Sequence, residues 1–599
     1  MPGLSQKSLG LFSCRQICGG PQWTIAAVSL VCLMLATTSC GWVKLKADAY
    51  KDSKEYSETE FRKAESIYYK SSSTTPEFCV ALSGGGIRSA AYSIGVLKGL
   101  HVIERQVPDR LPDIDIISAV SGGSYAATWF YDQYAQKASS DARGLNRMDK
   151  LNEVLSETSI RKVAGNVEYF NSLQALVTVG GVLNTHGKTV AAGMTGDWQA
   201  VIINYLAGLF KPNLPPWKEK HMTPSGAAYE SFITNGFQFS GPRRSISPAS
   251  KDLPYLIVNG TIQASPTPGS SEDAKTPEHL RLANTIFEFT SHGMGSPSVG
   301  YKSWAELKPE DRASTYTFAR LASISGAVVD TSTSNAVLFL GSEAGLGYAL
   351  LTPTYSDAWI RRFIRLTDGG DSENLGAYGL IKRNCKEILV VDAEYDGKID
   401  AINQNFYGKP IDGYEDGYQF KSYQLLKDKL CKEGRELTID KLDQATNSLN
   451  CEGKSKIEAV EPPENWHCWN EKQVNTKRKW FNCSEPTNEG FVDGQNGLKV
   501  THVKLSADRK FLDDFASNGK DKAKAQEVYG PFITDLYKKQ KEGKEGKKLD
   551  KDFPHYSTFR FIWAPEDFLA VAELGCRAVV RHYTPDLLSP SAKACIFID

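Results

Sequence analysis

The sequence has no net charge: Lys and Arg together number 70 in its 599 residues, and Asp and Glu also number 70. That balance offers no general attraction to nucleic acid, whose binding proteins are usually basic. The widely spaced Cys431, Cys451, Cys468 and Cys483 lack the C-x₂₋₄-C pairs of structural zinc sites, so no metal is expected there. The histidines fall in no recognisable pairing, and counting them neither supports nor excludes an imidazole base. Phosphate-cradling signatures are missing too. Neither G-x-x-x-x-G-K-[ST] nor G-x-G-x-x-G occurs around the glycine run described below, which makes nucleotide binding a poor reading of it. No internal repeat is present. A hydrophobic fraction of 41% and an aromatic content of 11% exclude a disordered chain, and the length implies a large core with decorations.

Charge is also absent between Arg15 and Lys44. Lys7 and Arg15 precede an apolar stretch from Trp23 to Ala36, followed by Thr37-Thr38-Ser39-Cys40-Gly41, the layout of a secretory signal. Cys40 after small residues resembles the lipid-attachment box of bacterial lipoproteins, although Thr37 stands where such boxes usually carry Leu. An uncleaved anchor is the competing reading, since Trp23–Val43 approaches the ~20 residues of a spanning helix. Both readings tether the remainder to a membrane outside the cytoplasm, in the cell envelope. Cys431, Cys451, Cys468 and Cys483 cluster in one polar region, where disulfides suit an oxidising compartment. Cys79 and Cys385 read as small buried hydrophobes.

These features divide the chain into a targeting or anchor segment (1–40), a polar linker (41–76), a catalytic core (77–400), a polar insertion carrying the cysteine cluster (401–496) and a C-terminal part completing the core (497–599). The run Phe78–Leu82 has strand composition, and Arg88–Val102 reads as a helix. Ile114–Val120 and Ser124–Gln136 repeat the strand-then-helix pattern. Further elements are expected at Pro254–Ile262, Asn374–Arg383, Glu387–Asp392 and Leu498–Leu505. Thr317–Val328 is apolar and contains Ser325-Gly326-Ala327. Asp197–Phe210 carries an amphipathic helical pattern with Asp197 as its N-cap. Lys538–Asp552 reads as an exposed loop. Alternating strands and helices predict an α/β fold, with a mostly parallel sheet covered on both faces.

Three motifs carry chemistry. Val120-Ser121-Gly122-Gly123 ends a strand and opens a helix, the geometry of a nucleophile elbow, which needs small residues two positions either side of the serine. Ala119 and Gly123 meet that need around Ser121. Ser124, flanked by Gly122 and Ala126, is a rival register, but it falls inside the helix start, where serine commonly caps. Gly84-Gly85-Gly86 follows a strand and opens a helix, so its bare amides and the positive helix end suit an oxyanion. Asp368-Gly369-Gly370 places a carboxylate on a tight turn, where burial would strengthen it as a base. Alone, each motif is more often an ordinary turn.

Together, Ser83-Gly84-Gly85-Gly86-Ile87-Arg88, Val120-Ser121-Gly122-Gly123 and Asp368-Gly369-Gly370 resemble the patatin-like phospholipase family, close to its cytosolic phospholipase A2-type branch. Glu373-Asn374-Leu375-Gly376, Phe553-Pro554-His555-Tyr556-Ser557-Thr558 and Glu573-Leu574-Gly575 are similar to segments of bacterial members. The resemblance implies a three-layer α/β/α patatin-like fold and a Ser–Asp dyad without histidine. It implies Ser121 as nucleophile, Asp368 as general base, and Gly84, Gly85, Gly86 and Arg88 around the oxyanion. It needs no cofactor. A cation at Arg88 opposes the helix dipole; either a neighbouring carboxylate, or the oxyanion and a phospholipid headgroup, would offset that. No separate calcium-binding membrane module is evident. The expected activity is hydrolysis of glycerophospholipid acyl esters in a membrane. The alternatives are a neutral-lipid or general carboxylesterase on the same site, and a non-catalytic envelope lipoprotein that binds a partner.

Overall fold

The structure is a computed structural model of the chain. The structure describes residues 56–70, 75–140, 144–166, 230, 233–239, 252–263, 285–298, 300–306, 317–326, 348–350, 364–394, 421–440, 442–443, 451, 468–472, 479–483, 487–494, 497–507, 509–519, 522–543, 548–549, 553–554, 556, 563–585 and 595. The chain divides into two units, Met1–Lys44 and Leu45–Asp599, and every described residue belongs to the second. The expected signal or anchor segment, Cys40 and the helix expected over Asp197–Phe210 lie outside the described residues. Among the described residues, no helix is long and apolar enough to cross a membrane.

In chain order, helix α1 (Glu58–Glu65) precedes strand β1 (Phe78–Leu82), helix α2 (Gly86–Gln106), β2 (Ile114–Val120) and α3 (Gly122–Ser139). Then come α4 (Arg147–Val154), α5 (Glu157–Gly165), β3 (Tyr255–Gln263), β4 (Thr285–Thr290), β5 (Gly293–Ser296), β6 (Gly300–Ser303) and α6 (Phe318–Ser325). Strands β7 (Tyr348–Leu350) and β8 (Ile364–Asp368) lead to the short α7 (Tyr378–Lys382), β9 (Glu387–Asp392) and α8 (Lys421–Lys432). The remainder is β10 (Leu437–Thr438), β11 (Cys468–Lys472), β12 (Lys479–Cys483), β13 (Thr487–Val492), β14 (Leu498–Lys504), α9 (Arg509–Asn518), α10 (Lys522–Lys541) and α11 (Pro565–Tyr583).

Twelve strands form one sheet, and β11 and β12 form a separate hairpin. The centre, in the order β14-β9-β1-β2-β3, is parallel throughout. Both margins are antiparallel. β13 and β10 extend one side, while β4, β5 and β6 extend the other and β8 with β7 pairs onto β3. The parallel pairing expected holds at the centre, and the antiparallel margins make the sheet as a whole mixed. Crossover helices impose parallel pairing only where they intervene, whereas short connections such as Ser291-His292 turn the chain straight back.

Strand periodicity explains the three layers. Phe78, Val80 and Leu82 enter one core with Leu256, Val258, Leu389 and residues of α2, α3 and α11. Cys79 and Ala81, on the alternate face, enter a second core with Tyr255, Ile257, Ile388 and residues of α7 and α8. A strand buried on both faces reads as the continuous apolar run seen in the sequence.

Several elements depart from expectation. Cys79 and Cys385 are fully buried, but they are bonded to each other rather than packed as free thiols. Cys79 lies on β1 and Cys385 just before its hydrogen-bonded neighbour β9, which brings the two positions together across 306 residues. Cys431 and Cys451 of the polar cluster are bonded, as are Cys576 and Cys595. Asn374–Arg383 is helical only over α7, because Gly376 at φ +75° breaks the turn before it. Lys538–Lys541 belongs to α10 rather than to a loop. Within the polar stretch before the core, Ser57 and Glu60 form a capping box that starts α1. Glu65 of α1 is held by Arg383 at 2.7 Å, and Arg383 also bonds Glu288 of β4 at 2.8 Å. Residues 437–438 and 487–492, inside the segment expected to be inserted, join the central sheet.

Candidate active site

The site forms at the carboxyl ends of β1, β2 and β8. β1 ends at Leu82, and Ser83 N–H donates to Val391 O of the neighbouring β9 at 3.0 Å. Ala393 N–H donates to Ser83 Oγ at 2.8 Å, which fixes the start of the glycine loop. Gly85 and Gly86 then adopt φ +135° and +62°, values that side chains strongly disfavour, and α2 begins.

At the end of β2 the chain turns through Ser121 at φ +48°, ψ −122°. Such a backbone costs on the order of 1–3 kcal/mol and persists only where its surroundings enforce it. Packing supplies the enforcement. A Cβ on Gly122 would stand 2.0 Å from Gly86 O, and one on Gly123 would stand 2.4 Å from Leu82 O. The elbow and the glycine loop therefore touch main chain to main chain. Ala119, where an elbow usually has glycine, is buried opposite Leu82 and causes no conflict. Ser124, the rival nucleophile, points away from this role: its hydroxyl donates to Ser121 O at 2.5 Å.

Asp368 is the last residue of β8, which pairs with β3 at Gly260. Ser121 Oγ donates to Asp368 Oδ2 at 2.9 Å, although 247 positions separate the two residues. Gly370 N–H holds the other carboxylate oxygen at 2.7 Å. Both residues are buried, Ser121 at 5% and Asp368 at 3% exposure. Loss of water around Asp368 pushes its carboxyl up to about 7, against the opposing pull of the Gly370 and Ser121 hydrogen bonds. Among the described residues, no imidazole contacts either group.

Two expected oxyanion groups are engaged elsewhere. Gly84 N–H donates to Asn374 O at 2.8 Å, so it is not aimed at a substrate. Arg88 is 1% exposed; its Nε donates to Ala393 O at 2.9 Å and its NH1 to Tyr556 O. Main-chain carbonyls, not a substrate anion, thus receive these guanidinium hydrogen bonds, because α2 turns Arg88 toward β9 and the C-terminal segment. The Gly85 and Gly86 amides have no hydrogen-bond partner among the described residues.

In the sequence Asn374 stands out only as part of the Glu373-Asn374-Leu375-Gly376 segment. Its carbonyl takes the Gly84 N–H, and its Oδ1 lies 1.9 Å from where a Gly84 Cβ would be and 2.7 Å from where a Gly370 Cβ would be. It links the glycine loop to the Asp368 turn. The bare glycines at 84 and 370 are the sequence trace of that close fit. Among the described residues, no cluster of His, Cys, Asp and Glu could hold a metal ion.

Residues 80–289 match the family model described as patatin-like phospholipase. The chain carries a patatin-like phospholipase domain. Its motifs at Gly84–Gly86 and Ser121 lie inside the matched stretch, and Asp368 lies beyond it. Among solved structures, human GIVD cytosolic phospholipase A2 is similar at 11% identity and a TM-score of 0.45, over 89% of this chain and 62% of that one. The same human enzyme with methyl gamma-linolenyl fluorophosphonate and terbium chloride gives 12% identity and a TM-score of 0.41, over 87% and 59% of the two chains. This chain thus spans about three fifths of the length of those proteins. No curated protein matches the sequence. The patatin-like fold agrees with the mixed sheet between two helical layers.

Proposed function

We propose that this protein is a serine acyl hydrolase of phospholipase A type, cleaving glycerophospholipid esters through an acyl-Ser121 intermediate. The Ser121 Oγ to Asp368 Oδ2 hydrogen bond carries the reading. Ser121 Oγ attacks the ester carbonyl as its proton passes to Asp368. The carbonyl oxygen becomes an oxyanion, for which the Gly85 and Gly86 amides at the start of α2 are the donors. Collapse breaks the bond to the lysophospholipid alkoxide, which takes the proton from Asp368. Water, deprotonated by Asp368, then attacks the acyl-serine; collapse breaks the Ser121 Oγ–acyl bond, Asp368 returns the proton to Oγ, and fatty acid leaves. The matched family supports the lipid substrate class.

The reading includes a membrane tether outside the cytoplasm. The uncharged stretch between Arg15 and Lys44 and the three disulfide bonds described above support it. Mass spectrometry of the mature N-terminus tests it: an acylated Cys40 supports a lipid anchor, an intact Met1 a helical one, and a soluble unacylated product overturns both.

The activity is tested with a fluorophosphonate probe and phospholipid vesicles. Wild type should label at Ser121 and release fatty acid, while Ser121→Ala and Asp368→Ala should do neither. Turnover by Ser121→Ala would refute the assignment. Triacylglycerol cleaved in preference to phospholipid would shift the reading to a neutral-lipid esterase, and a folded protein inert to the probe would make it a binding module.

A further inference from the structure

The strained nucleophile leaves a question of main-chain bonding. Ser121 sits between strand and helix, where its N–H belongs to neither hydrogen-bond ladder, yet a buried donor needs an acceptor. The acceptor comes from 204 residues away: Ser325 Oγ receives the Ser121 N–H at 2.8 Å. The same hydroxyl donates to Asn259 O at 2.6 Å. Asn259 in turn reaches β2, donating from Nδ2 to Ser118 Oγ at 2.9 Å and to Ala119 O at 3.1 Å. Its carbonyl also touches the base's turn, since a Cβ on Gly369 would stand 2.4 Å from it.

Ser325 is the last residue of α6 and is fully buried. The helix end is fixed by its neighbours. Thr317 caps the start of α6, and the next residue, Gly326, lies so close to Tyr125 of α3 that a Cβ there would stand 1.9 Å from its Oη. A hydroxyl that accepts from the nucleophile and donates to β3 has both its orientations set. No other neutral side chain of that size offers a donor and an acceptor of comparable strength on one atom.

We propose that Ser325 is a positioning residue for the reaction: it holds the Ser121 main chain in its strained turn and so aims Oγ at Asp368 Oδ2. The inference rests on the Ser–Asp hydrolase reading given above. Ser325 acts through Ser121 and touches no substrate. Without its hydroxyl, the Ser121 peptide relaxes and Oγ leaves its alignment with the base, an error of the size that costs about 10²-fold in rate.

The experiment compares Ser325→Ala, Ser325→Thr and Ser121→Ala with wild type in the full-length protein. The rate constant for fluorophosphonate labelling, kcat and KM on phospholipid vesicles and the folded fraction by circular dichroism are measured. Ser325→Ala should label and turn over at least about 10-fold more slowly per folded molecule, with KM within about 2-fold of wild type. Ser325→Thr, which keeps the hydroxyl, should recover most of that loss. Ser325→Ala labelling at the wild-type rate would overturn the inference. So would equal losses in both variants that vanish once corrected for the folded fraction. If Ser121→Ala is inert while Ser325→Ala is fully active, only this inference fails; if Ser121→Ala still turns over, the hydrolase reading itself fails.

Discussion

Gly123 N–H donates to Ser83 O at 3.1 Å, joining the turn that carries the nucleophile to the loop that carries the glycines. A methyl group at Gly123 would stand 2.4 Å from Leu82 O and 2.6 Å from Ser83 O, both main-chain atoms that cannot swing aside. Gly123→Ala should therefore separate the elbow from the glycine loop. The expected result is a loss of turnover of about 10²-fold, with a stability cost of about 1–3 kcal/mol. Gly165→Ala, at the end of α5 with nothing within 4 Å, is the control. It should leave turnover unchanged and raise stability by up to about 1 kcal/mol. Thermal unfolding and vesicle hydrolysis, measured on both variants, separate the two effects.

The burial of Asp368 makes the proposed reaction pH-dependent. Its carboxyl is pushed up to about 7, first by loss of water. Only the ionised form accepts the Ser121 proton, so turnover should rise as pH passes through about 7 and flatten above it. Stability runs the other way. The folded protein holds this proton to higher pH than the unfolded chain does, so the contribution of Asp368 is complete below its unfolded value and disappears as pH climbs through about 7. Asp368→Asn should abolish hydrolysis and unfold at a higher temperature than wild type at pH 8, the gap narrowing toward pH 4. A pH-independent rate between 5.5 and 8.5 would remove Asp368 as the base.

Arg88 separates a clamp from an anion ligand. Its bonds to Ala393 O and Tyr556 O join α2, the segment after β9 and the C-terminal part. Truncation leaves these buried carbonyls short of a donor, at about 1–3 kcal/mol each. Arg88→Lys keeps the charge but not the forked donor geometry. Both Arg88→Met and Arg88→Lys should lower the unfolding temperature. A direct contact with the oxyanion would instead slow probe labelling at an unchanged unfolding temperature, and that pattern in Arg88→Lys would restore the anion role.

Local signals marked the reacting groups in the sequence, and distance hid what holds them. Strand-to-helix breaks at Gly84–Gly86 and Ser121 and the turn at Asp368 are written in neighbouring residues, as is the apolar run of β1. Parallel pairing of the central strands followed from their alternation with helices. The antiparallel margins were hidden because their strands lie in polar or irregular stretches whose partners only the folded sheet defines. Asn374, Ser325 and Asn259 carry no motif of their own; each matters through a contact made across a long separation. The capping box at Ser57 and Glu60 was legible in principle, but the polar composition around it masked the signal. Cys79 and Cys385 read as lone apolar residues because nothing in sequence says which strands become neighbours.

That last pair yields a stability prediction. Cys79 on β1 and Cys385 just before β9 are both fully buried, and their bond closes a loop of 306 residues. Closing so long a loop restricts the unfolded chain, and native disulfides typically contribute about 2–4 kcal/mol. Cys431–Cys451 closes only 20 residues, and Cys451 is exposed. Under mild reductant the folded protein should therefore lose Cys431–Cys451 first and keep Cys79–Cys385 until it unfolds. Alkylation with mass spectrometry reads that order directly. The double variant Cys79→Ala, Cys385→Ala should unfold at a lower temperature yet retain probe labelling at 25 °C, since neither sulfur contacts Ser121 or Asp368. An unchanged unfolding temperature in the double variant would mean that the cross-link adds nothing to the fold.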